Sequence, residues 1–558
     1  MMSPETPALP PTISAVVPAR NSGLWIGELL ESVLAQDVQQ LEVLVIDNGS
    51  TDRTLDLVTE YAARDSRVRL IRSGAESAAA ARNEGVDEAL GEYLVFADSD
   101  DIVPDGAYRT MLESLVASGS DMVIGDHLKF SPAATWSPTG RWGAFTAPGS
   151  AVVPDDRPEL LTGRACWNRM FRRSFWDRTG LRFPEIPSVE DIEPMTRAFV
   201  EAEHVDVVSA VVYLYRDRSD ASSISQRSDA SSTVRYLRQE LACARLVSRR
   251  PALREQHATI VADADGWAHL ARFVEAKPSS ADIKLVKSAL DALFDVVPLA
   301  AVGQAAPSRR ALWGLMLADR WSVAASFAAG AGSNDAATRL VSWHTAMAVL
   351  AAEPTEYLEL EALVLEGLLP VLVHVAEDVP LAQLTHAVQD FAKLPAAKPV
   401  PGLASAMADA LVRSAVGEVL TVSRLRHVVP LVVDVARPTE RGLQIGGRAK
   451  LEVAMTFVLR SGPDVVFVPV EVKTGSWSVS LDAAQLRNGR WTVTAQAAGV
   501  SEEFPVVTAR MPLPPIDDQF ILQPLADRRD GWRFLVDRRV RKPRGFGALL
   551  RRALRRPR

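Results

Sequence analysis

The first 225 residues alternate short apolar runs with amphipathic stretches, a pattern typical of strands that alternate with helices. Four apolar runs predict strands at 13–17, 41–46, 68–71 and 93–97. Three stretches with helical spacing lie between them, at 27–34, 53–63 and 77–90. Such alternation with short loops favours a mainly parallel sheet that is covered on both faces. We therefore predict a Rossmann-like α/β domain over 12–228.

The periodicity changes twice further along the chain. Long helical stretches such as 234–247 and 356–376 predict an α-helical domain over 229–426. Strand-like runs then follow at 451–459, 465–472 and 477–481, and they predict an antiparallel β-sandwich over 427–537. Asn488-Gly489 stands between apolar runs at 481–486 and 491–497, which indicates a hairpin at that point.

Composition narrows the class of protein. The chain has 62 Lys and Arg against 69 Asp and Glu, and this slight negative balance argues against nucleic acid as a partner. Only two cysteines occur, so a disulfide scaffold and a cysteine-rich zinc module are excluded. The sequence shows neither a signal peptide nor an apolar run long enough to span a bilayer, which predicts a cytoplasmic location.

The last segment, 538–558, has a composition of its own. It carries ten Lys and Arg and no acidic residue, and its leucines can share one helical face. A short basic amphipathic helix can lie on an anionic membrane surface. We therefore predict peripheral attachment at the inner face of the cell membrane. A solvated tail and contact with nucleic acid are the alternatives.

Polar clusters directly follow three of the predicted strands. Because ligands of parallel sheets bind at the carboxyl ends of the strands, we expect these clusters to share one rim. The clusters are Pro18-Ala19-Arg20-Asn21, Asp47-Asn48-Gly49-Ser50 and Asp98-Ser99-Asp100-Asp101. The three carboxylates of the last cluster repel one another, and a bound Mg²⁺ or Mn²⁺ would offset that repulsion. A solvated acidic turn is the alternative interpretation.

The clusters belong to an ordered set of motifs. The set adds Ala81-Arg82-Asn83-Glu84-Gly85, Trp167-Asn168-Arg169-Met170-Phe171-Arg172-Arg173 and the pair Glu190-Asp191. Together these motifs closely resemble family 2 glycosyltransferases, which have the GT-A fold. The resemblance covers about 13–225, and it departs from the family pattern at Asn48, where a second Asp is common, and at Arg169, where Lys is usual.

The resemblance implies roles for individual residues in donor binding. The nucleoside pocket would be lined by Pro18, Arg20, Asn21 and Asp47, with Asp47 accepting hydrogen bonds from the base. Arg82 and Asn83 would help to hold the nucleotide, although a helix-surface arginine and a polar residue inside a helix are the alternatives. In the aspartate cluster, Asp98 and Ser99 would face the ribose, and Asp100 would bind the metal under the diphosphate.

The resemblance also implies the catalytic groups. Asp191 would deprotonate the acceptor hydroxyl, and Glu190 would orient the acceptor or Asp191. The alternative is that both carboxylates only complement a helix dipole. Arg216 or Arg218, followed by Ser222-Ser223-Ile224-Ser225, would clamp the donor diphosphate from a loop, although a plain surface loop explains this segment equally well.

The resemblance implies an inverting, metal-dependent glycosyltransferase with a nucleotide-sugar donor, for which a UDP-sugar is favoured. The sequence lacks the Gln-x-x-Arg-Trp motif of processive synthases, so a non-processive enzyme is expected. By resemblance to teichoic-acid-type and capsule-type enzymes, the acceptor would be a glycan or polyol-phosphate polymer of the cell envelope, and the C-terminal modules would support homo-oligomerisation. A scaffold protein with a degenerate transferase domain is the alternative.

Overall fold

The computed structural model describes residues 12–38, 40–140, 143–218, 229–395, 401–439, 442–448, 454–473, 475–508, 520–528 and 531–538. The chain divides into two compact units, Met1–Met316 and Leu317–Arg558. The basic tail, apart from Arg538, and the Ser222–Ser225 segment lie outside the described residues, so the predictions made for them stay predictions.

The first unit contains a nine-stranded sheet and the helices that flank it. Its strands are β1 (Ile13–Ala19), β2 (Leu41–Asp47), β3 (Val68–Arg72), β4 (Tyr93–Phe96), β5 (Met122–Ser131), β6 (Ala134–Trp136), β7 (Gly149–Val152), β8 (Arg169–Arg172) and β9 (Val205–Arg216). Its helices are α1 (Ile26–Leu34), α2 (Thr54–Arg64), α3 (Ala78–Glu88), α4 (Ala107–Ser118), α5 (Arg173–Thr179), α6 (Ile192–Glu201), α7 (Ala230–Val247), α8 (Pro251–Asp263), α9 (Asp265–Glu275), α10 (Ser280–Phe294), α11 (Ala300–Gln304) and α12 (Pro307–Leu317).

The sheet is mixed, which corrects the prediction of a mainly parallel sheet. Its order is β3-β2-β1-β4-β8-β5-β9-β7, with β6 paired to β5. Strands β3, β2, β1 and β4 form a continuous parallel block, and β5 and β9 form a separate parallel pair. Strand β8 runs antiparallel to both of its neighbours, β4 and β5. No helical crossover separates β5 from β8, since the described part of the connection holds only short strands and 3₁₀ turns, so the chain re-enters the sheet in the opposite direction.

The three polar clusters of the rim follow strands β1, β2 and β4 of the parallel block. Every residue of β1 and β2 is buried, as expected for strands covered on both faces. Helix α3 packs closely on this block because Gly85 faces it: a Cβ built on Gly85 would lie 2.4 Å from Val16 Cγ1 and 3.2 Å from Ile46 Cγ1. This close approach sets the height of α3, and therefore of Arg82 and Asn83, above the sheet.

The second unit begins with helices and ends with strands. The helices are α13 (Trp321–Gly330), α14 (Ala336–Ala352), α15 (Leu360–Leu363), α16 (Leu369–Val375), α17 (Leu381–Phe391), α18 (Leu403–Val412) and α19 (Val416–Leu425). The helical segment predicted over 356–376 is confirmed from Leu360 onward, but it is not one regular α-helix. The helical backbone starts only at Leu360, and a π-helical turn at Val364–Leu368 interrupts it just before Pro370, which cannot donate a backbone hydrogen bond.

The strands of the second unit form two sheets. They are β10 (Leu431–Val433), β11 (Val435–Thr439), β12 (Gly442–Gly447), β13 (Met455–Ser461), β14 (Asp464–Pro469), β15 (Glu471–Lys473), β16 (Ser476–Asp482), β17 (Gly489–Ala497), β18 (Glu503–Thr508), β19 (Phe520–Arg528) and β20 (Gly531–Arg538). One sheet has seven strands, in the order β10-β18-β17-β13-β14 with β20 on β17 and β19 on β20, and the other has the order β11-β12-β16-β15.

The hairpin predicted at Asn488-Gly489 is wrong. Strand β16 pairs with β12 and β15, whereas β17 pairs with β13, β18 and β20, so the two strands belong to different sheets. The Asn-Gly pair therefore lies in a connection between sheets. The alternation of apolar residues on each side reflects one buried face on each sheet, and it carries no information about which strands pair.

Among the described residues, no helix combines the length and the apolar character needed to cross a bilayer.

Candidate functional site

Hydrogen bonds connect the loop after β1 to the loop after β2 at the rim. Thr51 N donates to Asn21 Oδ1 over 2.8 Å, and Asn21 N donates to Ser50 Oγ over 3.0 Å. Asn21 has a positive φ of 51°, a conformation that Asn tolerates better than most residues. The side-chain oxygen of Asn21 thus holds the loop that follows Asp47, while Arg20 beside it is exposed and Pro18 is buried inside β1.

Asp47 is the last residue of β2 and is only 4% exposed. Its Oδ2 accepts long hydrogen bonds of 3.3 Å from the backbone N–H groups of Gly49 and Ser50. Its Oδ1 is buried and has no hydrogen-bond partner among the residues that the structure describes. A buried carboxylate oxygen without a donor is costly, so this atom is suited to accept an N–H from a ligand.

Arg82 joins the aspartate cluster to the Glu190-Asp191 pair. Its Nη2 donates to Asp98 Oδ1 over 2.6 Å, and its Nη1 donates to Glu190 Oε1 over 2.7 Å. The guanidinium is buried, and it lies 5.5 Å from the ring centroid of Phe183. Two carboxylates hold the pKa of Arg82 well above its ordinary value in spite of burial, so the bridge is charged. A helix-surface arginine, the alternative interpretation, is therefore excluded.

Asn83 is engaged at both ends of its amide. Its Nδ2 donates to the Phe183 carbonyl oxygen over 2.8 Å, and its Oδ1 accepts from Phe183 N over 2.9 Å. Adjacent residues of α3 thus hold the start and the end of the segment from Phe183 to Glu190. In the structure, Asn83 fixes the start of this segment against α3, and its role toward a nucleotide stays a prediction.

Asp191 occupies the N-cap position of α6, yet its side chain caps no backbone N–H group. Burial, and next the charge of Glu190, raise the pKa of Asp191 to about 7, while Arg82 opposes the rise. A carboxyl group with a pKa near neutrality can exchange a proton under physiological conditions. Val189, two residues earlier, has a φ of 59°, which is strained for a β-branched residue and is typical of functional sites.

The aspartate cluster after β4 is held by residues of β9. Tyr213 stacks on Trp167 at 4.4 Å, and its hydroxyl donates to Asp101 Oδ2 and accepts from Asp98 N, both over 2.9 Å. Arg216 N donates to Asp101 Oδ1 over 2.7 Å. Asp101 is thereby enclosed, and burial together with Asp100 and Asp98 raises its pKa well above the ordinary value.

Arg216 and Arg218 approach Asp100 from the end of β9. Arg216 Nε donates to the Asp100 carbonyl oxygen over 2.7 Å, and its Nη2 donates to Glu28 Oε2 over 2.6 Å. Arg218 Nε donates to Asp100 Oδ2 over 2.6 Å, and the Arg218 guanidinium lies 4.5 Å from the Trp25 ring centroid. Burial, and next Asp98, raise the pKa of Asp100, while Arg218 lowers it.

The aspartate cluster has a donor set suited to a divalent cation. Asp98 and Asp100 each use one carboxylate oxygen in an ion pair with an arginine. The structure gives no protein hydrogen bond to the second oxygen, Asp98 Oδ2 or Asp100 Oδ1, from the described residues. Two hard oxygens together with diphosphate oxygens match the preferences of Mg²⁺ and Mn²⁺. Ser99 lies between them, with its hydroxyl 2.5 Å from that of Ser22.

Some contributors to the site carry no recognisable signal in the sequence. Glu28 and Trp25, which hold the β9 arginines, belong to none of the motifs. Arg169, which departs from the family pattern, lies buried beneath the site, where it donates to Asn168 Oδ1 over 2.8 Å and to the carbonyl oxygens of Ala165 and Gly163. Burial lowers the pKa of Arg169 to about 10.

Helices α7 to α12 form the helical layer of the first unit, and a buried ion pair connects this layer to a loop beside the site. The Arg164 Nη1 and Nη2 atoms each donate to one oxygen of Glu240 on α7 over 2.7 Å. Glu240 Oε2 also lies 2.8 Å from His257 Nε2 on α8. Arg164 immediately precedes Ala165 and Cys166, and the charge of Asp191 acts on the Cys166 thiol, so α7 supports a loop that lies next to the carboxylate pair.

Comparison with known proteins assigns part of the first unit. Residues 14–179 match the sequence profile described as glycosyl transferase family 2. This segment is a family 2 glycosyltransferase domain. It contains all of the rim clusters and Arg82, while Glu190 and Asp191 follow it a few residues later.

Curated bacterial proteins resemble about two fifths of this chain. An uncharacterized glycosyltransferase of Bacillus subtilis (strain 168), EpsJ, is 29% identical over 215 residues, which cover 38% of this chain and 62% of the relative. A putative glycosyltransferase of the same organism, EpsH, is 31% identical over 229 residues, which cover 39% and 63%. The chain therefore spans about three fifths of the length of these relatives.

Among solved structures, residues 1–349 of TarS from S. aureus in complex with UDP are 19% identical, with a TM-score of 0.47. The match covers 56% of this chain and 90% of the other chain.

Proposed function

We propose that this chain is an inverting glycosyltransferase that moves a sugar from a nucleotide-diphosphate sugar to a hydroxyl group of a cell-envelope polymer. The observation that carries the proposal is the double ion pair of Arg82, which joins Asp98 of the donor rim to Glu190 beside Asp191. Arg82 thereby holds the rim that would bind the sugar donor next to the Asp191 carboxylate, whose pKa is near neutrality. A displacement at the anomeric carbon requires these two parts to be held close together.

A UDP-sugar is the donor that we favour. The unpartnered Oδ1 of Asp47 can accept one N–H from the edge of a base, and the imide N–H of uracil meets that requirement. The burial of Asp47 supports an N–H donor at this point, because a buried carboxylate oxygen without a hydrogen bond is costly, and the choice of uracil among the bases rests on the resemblance. Asp98 and Ser99 would then face the ribose, as the resemblance implies.

Asp191 would act as the general base. In the transfer, the acceptor hydroxyl gives its proton to the Asp191 carboxylate while its oxygen forms a bond to the anomeric carbon. The bond between that carbon and the phosphate oxygen breaks, and the nucleoside diphosphate leaves with the electron pair. A Mg²⁺ or Mn²⁺ ion held by Asp100, when bound, would neutralise charge on the leaving diphosphate.

The choice of acceptor rests on the resemblance to teichoic-acid-type and capsule-type enzymes alone. We propose a glycan or polyol-phosphate polymer as the acceptor, non-processive transfer, association of several chains, and a peripheral position at the inner membrane face.

The test combines a panel of nucleotide sugars with one isosteric variant. Purified full-length protein should hydrolyse one donor of the panel in the presence of Mn²⁺, and Asp191→Asn should lower that turnover by about 10²–10⁴-fold. Calorimetry with UDP and Mn²⁺ should give the same affinity for both proteins, since Asp191 does not belong to the nucleotide pocket. Unchanged turnover in the variant would sink the assignment of the base, and absence of UDP binding would overturn the proposed enzyme.

A further inference from the structure

A second group of metal-ligating side chains lies in the second unit. It consists of His344 on α14 and of His386 and Asp390, which stand one turn apart on α17. One ligand atom of each residue lies within 4.8 Å of the other two. The two helices that carry these residues pack against each other, so the cluster bridges two separate stretches of the chain.

Both imidazoles converge on one carboxylate oxygen. His344 Nε2 lies 2.9 Å from Asp390 Oδ2, and His386 Nε2 lies 3.7 Å from the same atom. Ligands at about 2.0–2.1 Å from a tetrahedral zinc ion stand roughly 3.3 Å apart, which lies between these two separations. Two of the three separations therefore bracket the spacing expected around a tetrahedral ion.

The opposite side of the carboxylate is already occupied. Lys393 Nζ donates to Asp390 Oδ1 over 2.7 Å, which leaves Oδ2 directed at the imidazoles. A ligating carboxylate is usually oriented by such an outer hydrogen bond.

The two histidines differ in how firmly they are held. The His344 ring is mostly buried and packs edge-to-face on Phe391 at 5.3 Å. The side chain of His386 is 73% exposed, so solvent and ions reach the cluster from its side. His386 and Asp390 are one helical turn apart, and the His386 ring packs edge-to-face on His344 at 5.4 Å, so the two imidazoles are held beside the same carboxylate.

We propose that His344, His386 and Asp390 bind a divalent cation of borderline softness, for which zinc is the best match. Two imidazoles and one carboxylate form a donor set that zinc accepts, and water would complete the coordination at the exposed side. The ion would fasten α14 to α17 within the second unit. This site would be independent of the proposed transfer reaction, because its residues belong to neither the rim nor the Glu190-Asp191 pair.

The buried group Glu240, Cys243 and His257 is a contrasting case. Arg164 donates to both oxygens of Glu240, and Cys243 Sγ lies 3.7 Å from the Ile192 carbonyl oxygen. A guanidinium already neutralises the carboxylate there, so this group carries no proposal of a metal site.

Cobalt is the probe for the site. Full-length protein stripped with EDTA is titrated with Co²⁺, since tetrahedral cobalt with imidazole ligands absorbs visible light strongly and cobalt in an octahedral oxygen site absorbs weakly. The wild type should develop the intense bands, and zinc should displace them. His386→Ala and Asp390→Asn should each weaken binding by at least about tenfold. His374→Ala, an exposed histidine on α16, is the matched control and should bind as the wild type does.

Each outcome decides the proposal. Loss of the bands in His386→Ala with unchanged thermal unfolding of the metal-free protein would support it, because an exposed side chain is removed without loss of fold. Retention of the bands in that variant would overturn it, as would their absence from the wild type at millimolar Co²⁺. Thermal unfolding with zinc adds a second readout. An ion bound at this site should raise the Tm of the wild type and of His374→Ala, but not that of His386→Ala or Asp390→Asn.

Discussion

Arg82 Nη1 donates a 2.7 Å hydrogen bond to Glu190 Oε1, across 108 positions of the sequence. The same guanidinium holds Asp98, so one buried cation sets the distance between the donor rim and the carboxylate pair. Glu190 and Arg82 act on the pKa of Asp191 in opposite directions: the carboxylate raises it and the guanidinium lowers it. This opposition gives the first prediction.

Glu190→Gln should move the acid limb of the kcat/KM profile to lower pH. The variant keeps an oxygen that can accept from Arg82 but removes the negative charge that raises the pKa of Asp191. A general base must be deprotonated, so activity is gained as pH rises through the pKa near 7 and is gained earlier in the variant. Arg82→Gln should move the limb to higher pH. Shifts in the same direction for both variants would contradict this electrostatic relationship.

Arg218→Gln should strengthen binding of Mn²⁺ in the absence of nucleotide. The Arg218 guanidinium now neutralises Asp100, and a metal ion has to compete with it. We expect a gain of up to about fivefold, the equivalent of an ion pair near the surface. Free Mn²⁺ measured by electron paramagnetic resonance gives the affinity, and Arg64→Gln, at an exposed position of α2, serves as the control. Equal affinities in all three proteins would show that Arg218 does not compete at Asp100.

Gly85→Ala should destabilise the first unit and lower turnover. The added Cβ would overlap Val16 and lift α3 from the sheet, which costs about 1–3 kcal/mol in unfolding free energy and displaces Arg82. Gly74→Ala is the matched control, because a Cβ added there would meet nothing within 4 Å and the φ of Gly74 is not positive. Urea unfolding followed by tryptophan fluorescence measures both, and equal midpoints would refute the packing argument.

Glu240→Gln should destabilise the first unit by about 3 kcal/mol, since it leaves the buried Arg164 with only the more exposed Asp265 as a counter-charge. The ion pair holds the pKa of Glu240 well below its ordinary value, so this stabilisation is present above the unfolded-state pKa and is lost as pH falls below it. Unfolding of the wild type should therefore be more sensitive to acid than unfolding of the variant. The exposed pair is the control: Glu60→Gln, which faces Arg64, should change little.

The sequence allowed correct prediction of features that depend on residues close together in the chain. Apolar runs located β1 to β4 within two residues of their ends, and the polar residues after them identified the rim. The order of strands beyond β4 was not accessible, because the direction of β8 depends on a long connection without helices among its described residues. The hairpin predicted at Asn488-Gly489 was wrong for the same reason. Alternation of apolar residues indicates that a strand has one buried face, whereas the pairing of strands depends on residues far apart in the sequence.

Within the site, the residue types were predicted more reliably than their partners. Arg82, Asp98 and Glu190 were each singled out, but the ion pairs between them join positions 16 and 108 residues apart. Arg218 with Asp100 and Asn83 with Phe183 span 118 and 100 residues. Contacts of this kind follow from the three-dimensional arrangement of the sheet, and neither periodicity nor spacing encodes them.

The buried pair of Arg164 and Glu240 has a consequence for protein engineering. The family 2 segment ends at residue 179, but cutting the chain there or at 228 would remove both carboxylates that pair with Arg164, those of Glu240 and Asp265. An exchange of catalytic domains between relatives should therefore carry the helices through Met316, the end of the first compact unit. A substitution on one side of this ion pair should therefore restrict what the other side accepts.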